Sequence, residues 1–169
     1  IVPDDVEGSV GIAHTRWATH GGVTVANAHP HVDGDTRIGV VHNGIIENHR
    51  VIRTRLESAG HQFASDTDSE VLAHLFVEAF DAGLDVITAT QNILAEIDGA
   101  YAFAAIAIDY PDQLIVARNA SPLVVGIGDE ACYIGSDAIA LAHLTRKVIY
   151  LKDHDFALIS ADNVEVFQS

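Results

Sequence analysis

Residues 101–118 read YAFAAIAIDYPDQLIVAR and set the expected architecture of the chain. Residues 101–108 and 113–118 are rich in apolar, strand-forming side chains, and four residues that include one Pro and two Asp separate them. So short a connection joins antiparallel strands, because a parallel crossover needs about a dozen residues or more. We therefore predict an antiparallel pair of strands in this stretch.

The same close spacing of short β-rich runs continues to the end of the chain. The pattern predicts strands at residues 123–127, 132–134, 148–151, 156–159 and 164–167, and a short helix at residues 136–144. The first half alternates strands with helices instead. It predicts strands at 10–15 and 38–42, a long ordered loop at 16–30, and helices at 47–59, from a cap cluster at 65–68 to Gly83, and at 85–97. This order indicates an α+β fold in one domain, residues 1–169.

Composition narrows the function classes. The 169 residues carry 24 Asp and Glu against 9 Lys and Arg, a net charge of −15 that repels phosphate backbones and argues against generic nucleic-acid binding. The longest apolar run, residues 101–108, is far shorter than the roughly 20 residues of a membrane span. A single Cys fits a reducing, cytoplasmic setting. Because the chain has no Met and starts at Ile1, we expect it to be a piece of a longer protein.

The densest polar cluster, residues 14–21, places Arg16 beside Trp17, the only Trp. An Arg fork binds a carboxylate through two hydrogen bonds, and Thr hydroxyls supplement it. Such a cluster is typical of a carboxylate-binding loop with an aromatic wall or lid. A surface ion pair, with the Trp anchoring the loop to the core, explains the same residues equally well.

Asn43-Gly44 follows an apolar run and has two interpretations. As a dipeptide it is a strong hairpin-turn signal, since both residues tolerate positive φ, and the sequence alone favours that interpretation. The alternative is an oxyanion hole, in which the Asn amide and the Gly N–H both donate to a developing negative oxygen.

Residues 65–70, SDTDSE, hold more carboxylates than a helix cap needs. Thr67 or Asp68 can serve as a plain N-cap. A spare ionised carboxylate can instead receive a substrate ammonium group. An Arg and an Asp presented in loops at strand and helix ends would together suit a free amino acid, with its carboxylate on one and its amine on the other.

Metal and cofactor chemistry have weak support in the sequence. His29-Pro30-His31 is the closest His pair, but no Cys pair or second His motif accompanies it, so we predict no metal site. Cys132 lies in an apolar run without a basic neighbour, which indicates a buried, inert thiol. The chain contains no glycine-rich phosphate loop, and we predict no cofactor.

Several motifs resemble the glutaminase (class II, or type 2, glutamine amidotransferase) domain of the glucosamine-6-phosphate synthase family. They are, in chain order, GIAHTRWATHG (11–21), NAHPH (27–31), VHNGIIEN (41–48), SDTDSE (65–70), SPL (121–123) and GSD (135–137). The resemblance covers essentially the whole chain. It implies an N-terminal nucleophile hydrolase fold, a four-layer αββα sandwich of antiparallel sheets. It also implies that L-glutamine is hydrolysed to L-glutamate and ammonia, which passes to fructose 6-phosphate to give glucosamine 6-phosphate.

The resemblance assigns roles to the loop residues. Arg16 would bind the glutamine carboxylate with help from Thr19 and His20, and Asp68 would take the amine. Trp17 would match the residue that gates the ammonia channel.

The remaining roles concern the reacting amide. Asn43 and Gly44 would form the oxyanion hole. The family nucleophile is a Cys at the mature N-terminus, and this chain begins at Ile1. We therefore expect the segment carrying that Cys, the first strand or strands and the isomerase domain to be missing, the chain alone to be inactive, and the parent to be a homo-oligomer. The alternative from another class is a non-catalytic module that binds glutamine or glutamate.

Overall fold

The protein, seen here in a computed structural model, is described at residues 8–15 and 22–168. Nine strands and four helices lie in these ranges. The strands are β1 (His31–Val32), β2 (Ile38–Ile46), β3 (Gly99–Ala107), β4 (Tyr110–Asn119), β5 (Val124–Ile127), β6 (Cys132–Gly135), β7 (Lys147–Tyr150), β8 (Asp155–Ile159) and β9 (Val164–Gln168). The helices are α1 (His49–Ser58), α2 (Glu70–Asp81), α3 (Val86–Glu96) and α4 (Ala138–Leu141).

The strands form two antiparallel sheets. One has six strands in the order β1-β2-β3-β4-β8-β9, and the other has three in the order β6-β5-β7. The pair predicted from residues 101–118 is the β3–β4 hairpin, with Phe103 opposite Ala117. The hairpin is tighter than expected, since Ala107 already faces Tyr110.

Four layers result from this arrangement. Helices α1–α3 pack on one face of the six-stranded sheet, around Phe76 and Phe103. The three-stranded sheet covers the other face. Its residue Val125 packs in one apolar cluster with Val41 and Val116 of the six-stranded sheet. Leu141 of α4 lies on the outer side of the small sheet, where a Cβ at Gly126 would meet it at 3.2 Å. The predicted α+β sandwich, αββα, is confirmed.

The six-stranded sheet is covered on both faces, and this explains its sequence. Neighbouring residues of a strand point to opposite faces, so Val40 packs under the helices while Val41 packs against the small sheet. All five residues from Tyr101 to Ala105 are buried for the same reason. A strand buried on both sides reads as a continuous apolar run, because neither face needs to be polar.

Some predicted elements differ from the structure. Residues 10–15 are not a strand: Val10 and Ile12 pack on the core between the sheets, so the apolar pattern is used, but no described strand pairs with the segment. β1 was not predicted, because two residues are too short to give a pattern. The helix expected at 136–144 is shorter and begins after Asp137, whose side chain caps it. Among the described helices, none has the length and apolar character needed to cross a membrane.

Candidate active site

Asn43 and Gly44 lie inside β2 rather than in a turn. The strand continues to Ile46, and Asn43 and Gly44 face Ala102 and Tyr101 of β3. The hairpin interpretation of this dipeptide is therefore wrong. The local signal was overridden by pairing with a strand more than 50 residues further along the chain.

Gly44 is required by geometry. Its φ of +119° lies in a region that residues with a side chain rarely adopt. A Cβ there would lie 2.0 Å from the carbonyl oxygen of Ala100 and 3.0 Å from Oγ of Ser121. Only glycine lets the two backbones approach this closely, so the strand is distorted at a residue that the family resemblance assigns to the oxyanion hole.

The side chain of Asn43 is exposed and held at both ends of its amide. Its Oδ1 lies 2.7 Å from Nε2 of His14, and its Nδ2 donates to Oγ of Ser136 at 3.3 Å. Ser136 directly follows β6 of the small sheet. The amide therefore bridges the two sheets at the edge of the core between them.

Asp68 is not the N-cap of α2. That position belongs to Ser69, whose side chain makes no capping hydrogen bond. Asp68 is instead buried, and its Oδ2 accepts a 2.8 Å hydrogen bond from the backbone N–H of Ile46, at the end of β2. Thr67 was the other predicted cap, and its hydroxyl bonds to Ser65 and His31. The spare carboxylate thus lies at the same end of β2 as the Asn-Gly pair.

A buried hydroxyl and imidazole network supports this region. Oγ of Ser69 contacts Nδ1 of His42 at 2.8 Å and Nε2 of His29 at 3.2 Å. Burial lowers the pKa of His42 to about 4, against a smaller opposing effect of Asp68, so the ring is neutral at pH 7. Nε2 of His42 has no hydrogen-bond partner among the described residues. Sequence reasoning gave no role to Ser69 or Ser136, although both lie in quoted motifs, SDTDSE and GSD, because a Ser hydroxyl does not show from sequence which group it will contact.

Glu70 anchors the turn that precedes α2. Its carboxylate accepts hydrogen bonds from the backbone N–H groups of Ala64 and Ser65, both at 2.7 Å, and from the Ser65 hydroxyl. Burial acts to raise its pKa, but the nearby His74 ring and these hydrogen bonds outweigh it and lower the pKa to about 2. The residue is a structural anion that fixes the loop carrying Asp68.

Four predicted site residues, Arg16, Trp17, Thr19 and His20, lie outside the described residues. The cluster around Arg16 therefore stays a prediction. The described part of that loop, residues 22–30, consists of turns and bends, as expected.

A cavity of about 320 Å³ opens beside the Asn43 amide, between the two sheets. Its polar lining includes Asn43, His42, Ser136 and His14, and Cys132 lines it from the small sheet. Burial raises the pKa of the Cys132 thiol, and Asp162 adds to the rise. At neutral pH the group is a protonated thiol, which is a poor nucleophile.

The histidines do not gather around a metal position in the described ranges. There, no three His, Cys, Asp or Glu side chains are close enough to hold an ion. Nε2 of His29 and Nε2 of His31 contact the hydroxyls of Ser69 and Thr67. These rings act as hydrogen-bonding parts of the loop.

Comparison with known proteins gives a family match. Residues 14–143 match the family described as "glutamine amidotransferase domain". A glutamine–fructose-6-phosphate aminotransferase [isomerizing] of Zymomonas mobilis is 53% identical over 163 residues, which is 96% of this chain and 26% of the relative. The protein of that name from Methanothermobacter thermautotrophicus is 46% identical over 158 residues, 94% of this chain and 27% of the relative. The chain thus spans about a quarter of the length of these curated relatives.

Solved structures show the same fold. A glutamine phosphoribosylpyrophosphate amidotransferase of B. subtilis, complexed with ADP and GMP, superposes with a TM-score of 0.74 at 24% identity. The match covers 92% of this chain and 34% of that one. A structure described as the allosteric regulatory enzyme of purine biosynthesis matches with the same TM-score at 26% identity, over 92% of this chain and 34% of the other.

Proposed function

Because this chain belongs to the glutamine amidotransferase domain family, we propose that it is the glutaminase part of an enzyme that hydrolyses L-glutamine and delivers the ammonia to an acceptor. The observation that carries the proposal is the shared position of Asn43, Gly44 and Asp68 at one end of β2. An amide donor, a distorted glycine and a buried carboxylate converge there. This set suits a substrate with an amine at one end and an amide at the other.

The binding roles complete this arrangement. Arg16 is assigned to the substrate carboxylate, with Thr19 and His20 as supplementary donors, and Asp68 to the ammonium group. Trp17 is assigned to the exit of ammonia. Fixing the carboxylate, the amine and the side-chain amide at three positions distinguishes enantiomers, so L-glutamine should be hydrolysed and D-glutamine should not.

The nucleophile is assigned to an N-terminal Cys ahead of Ile1, as the family resemblance implies. The cavity beside Asn43 is the position that such a group needs, since the oxyanion donors must lie next to the attacked carbonyl. Cys132 faces the same cavity, but its raised pKa keeps it protonated. Cys132→Ala in the full-length protein should therefore keep the kcat and KM of the wild type, whereas loss of the N-terminal Cys should abolish hydrolysis.

We base the proposed acceptor of the ammonia on the names of the relatives. We propose that residues 1–169 form one glutaminase domain, that an isomerase domain shares its polypeptide, and that the ammonia goes to fructose 6-phosphate. Formation of glucosamine 6-phosphate by the full-length protein tests this step separately from glutamine hydrolysis.

Steady-state hydrolysis of glutamine by the full-length protein tests the binding roles. Arg16→Ala and Asp68→Asn each remove a charged hydrogen-bonding partner, for which we expect KM to rise about 10-fold or more. Arg50→Ala and Asp66→Asn are matched controls, because both residues are exposed, and both should keep the wild-type KM. A wild-type KM in the Arg16 or Asp68 variant would refute that role. Enantioselective binding of L-glutamate without release of ammonia from L-glutamine would favour the non-catalytic module instead.

A further inference from the structure

The two ends of the Asn43 amide make contacts that are chemically different. Oδ1 lies against Nε2 of His14 at 2.7 Å, and Nδ2 donates to Oγ of Ser136 at 3.3 Å. A carbonyl oxygen only accepts hydrogen bonds, so this orientation of the amide requires the Nε2–H tautomer of His14. A hydroxyl both donates and accepts, so Ser136 would tolerate either orientation of the amide.

The sense of the amide decides whether Asn43 can stabilise an anion. With Oδ1 toward His14, Nδ2 uses one N–H on Ser136 and keeps the second for another acceptor. Rotated by half a turn, the amide would set Nδ2 against the N–H of His14, two donors facing each other. Because Asn43 is exposed, the packing of its own side chain does not decide between these orientations.

Both partners are fixed by their surroundings. The ring of His14 packs on the ring of His29, with 4.2 Å between centroids, and His29 in turn contacts Oγ of Ser69. Ser136 lies between the last residue of β6 and Asp137, whose side chain accepts a 2.7 Å hydrogen bond from the N–H of Ile139. The amide is therefore held between a supported ring and a capped turn.

We propose that His14 and Ser136 are positioning residues, with His14 setting the sense of the Asn43 amide and Ser136 anchoring it. They act through the two ends of the Asn43 amide. The inference rests on the proposed function, because it gives Nδ2 of Asn43 the developing oxyanion as its acceptor. Since the oxyanion exists only after attack on the carbonyl, the two residues should affect kcat more than KM.

The kinetic test compares two substitutions of nearly equal size in the full-length protein. His14→Gln can place an N–H at the position of Nε2, and we expect kcat within about 3-fold of the wild type. His14→Glu offers only acceptors, turns the amide and should lower kcat about 100-fold, the cost of losing an oxyanion donor. Ser136→Ala removes one neutral hydrogen bond and should lower kcat about 3- to 10-fold. The KM for glutamine should change little in all three.

A double-mutant cycle separates positioning from general damage. In an Asn43→Ala background, His14→Glu and Ser136→Ala should cause no further loss of kcat. Additive losses, or equal kcat values for the Gln and Glu variants, would overturn the positioning roles. A wild-type kcat for Asn43→Ala would instead refute the oxyanion role in the proposed function.

A spectroscopic test does not depend on activity. Long-range ¹H–¹⁵N spectra of the His14 ring in the full-length protein should show the Nε2–H tautomer at neutral pH. The side-chain amide resonances of Asn43 should stay in place in His14→Gln and move in His14→Glu. The Nδ1–H tautomer, or unmoved resonances in the Glu variant, would overturn the inference even if Asn43 proves essential.

Discussion

Gly44→Ala should destabilise the fold strongly, and the structure lets the two causes be separated. The first is conformational: a residue with a side chain at φ +119° carries strain on the order of 1–2 kcal/mol. The second is steric. The new Cβ would lie 2.0 Å from the Ala100 carbonyl oxygen and 2.8 Å from its carbon, so backbone must move, at about 1–3 kcal/mol. The sum is about 2–5 kcal/mol.

Gly60→Ala is the matched control. Gly60 also has a positive φ, +104°, but its Cβ would meet nothing within 4 Å, so only the conformational cost remains. We would measure both variants by urea denaturation of the 169-residue chain, followed by circular dichroism, and compare free energies of unfolding at equal m-values. Gly44→Ala should be the less stable by about 1–3 kcal/mol. Equal losses would show that the contact between β2 and the Ala100 carbonyl does not constrain the strand.

Three further predictions concern pH and packing. The folded pKa of His42, about 4, lies below the ordinary histidine value of 6.5, so the unfolded chain binds the extra proton in this range. The free energy of unfolding should therefore fall, by on the order of 3 kcal/mol, as the pH drops from 6.5 to 4. His42→Gln should flatten the pH dependence of unfolding there, and an unchanged slope would contradict this. Glu70, lowered from 4.5 to about 2, contributes stability that is present above pH 4.5 and lost toward pH 2, so Glu70→Gln should be costly at pH 7 and nearly neutral at pH 2 in the same assay. Phe103→Ala should cost about 3–5 kcal/mol by urea denaturation, because the ring is 1% exposed, whereas Ile108→Ala, at 65% exposed, should stay within about 0.5 kcal/mol.

The antiparallel architecture was predictable because its signals are local. The short gap between residues 101–108 and 113–118 allows only a hairpin, and β3 and β4 form one. The helical spacing of apolar residues before Gly83 likewise predicted α2, which ends at Asp81. In both cases, residues that are close together in the sequence determine the element.

The site was harder to predict because its contacts are non-local. Asn43-Gly44 has the composition of a turn, yet a second glycine in β3, Gly99, meets the same distortion from the other side. A Cβ at Gly99 would lie 2.2 Å from the carbonyl oxygen of Ile45. The distortion thus belongs to a pair of strands. Asp68 resembled a cap for the same reason, since its partner, the N–H of Ile46, is 22 residues away.

A substitution at Gly44 should affect both activity and stability, whereas a substitution at Asn43 should affect activity alone. A change at Gly44 moves the backbone of β2 and β3, so a loss of activity there cannot be assigned to the reaction alone. Asn43 is exposed, and within the described residues its side chain bonds only to His14 and Ser136, so its replacement should leave the strand pairing intact. Because Asn43 belongs to the six-stranded sheet and Ser136 follows a strand of the small sheet, the amide is held only while the two sheets are packed together. The core between the sheets therefore serves the site directly, by keeping both ends of one amide in register.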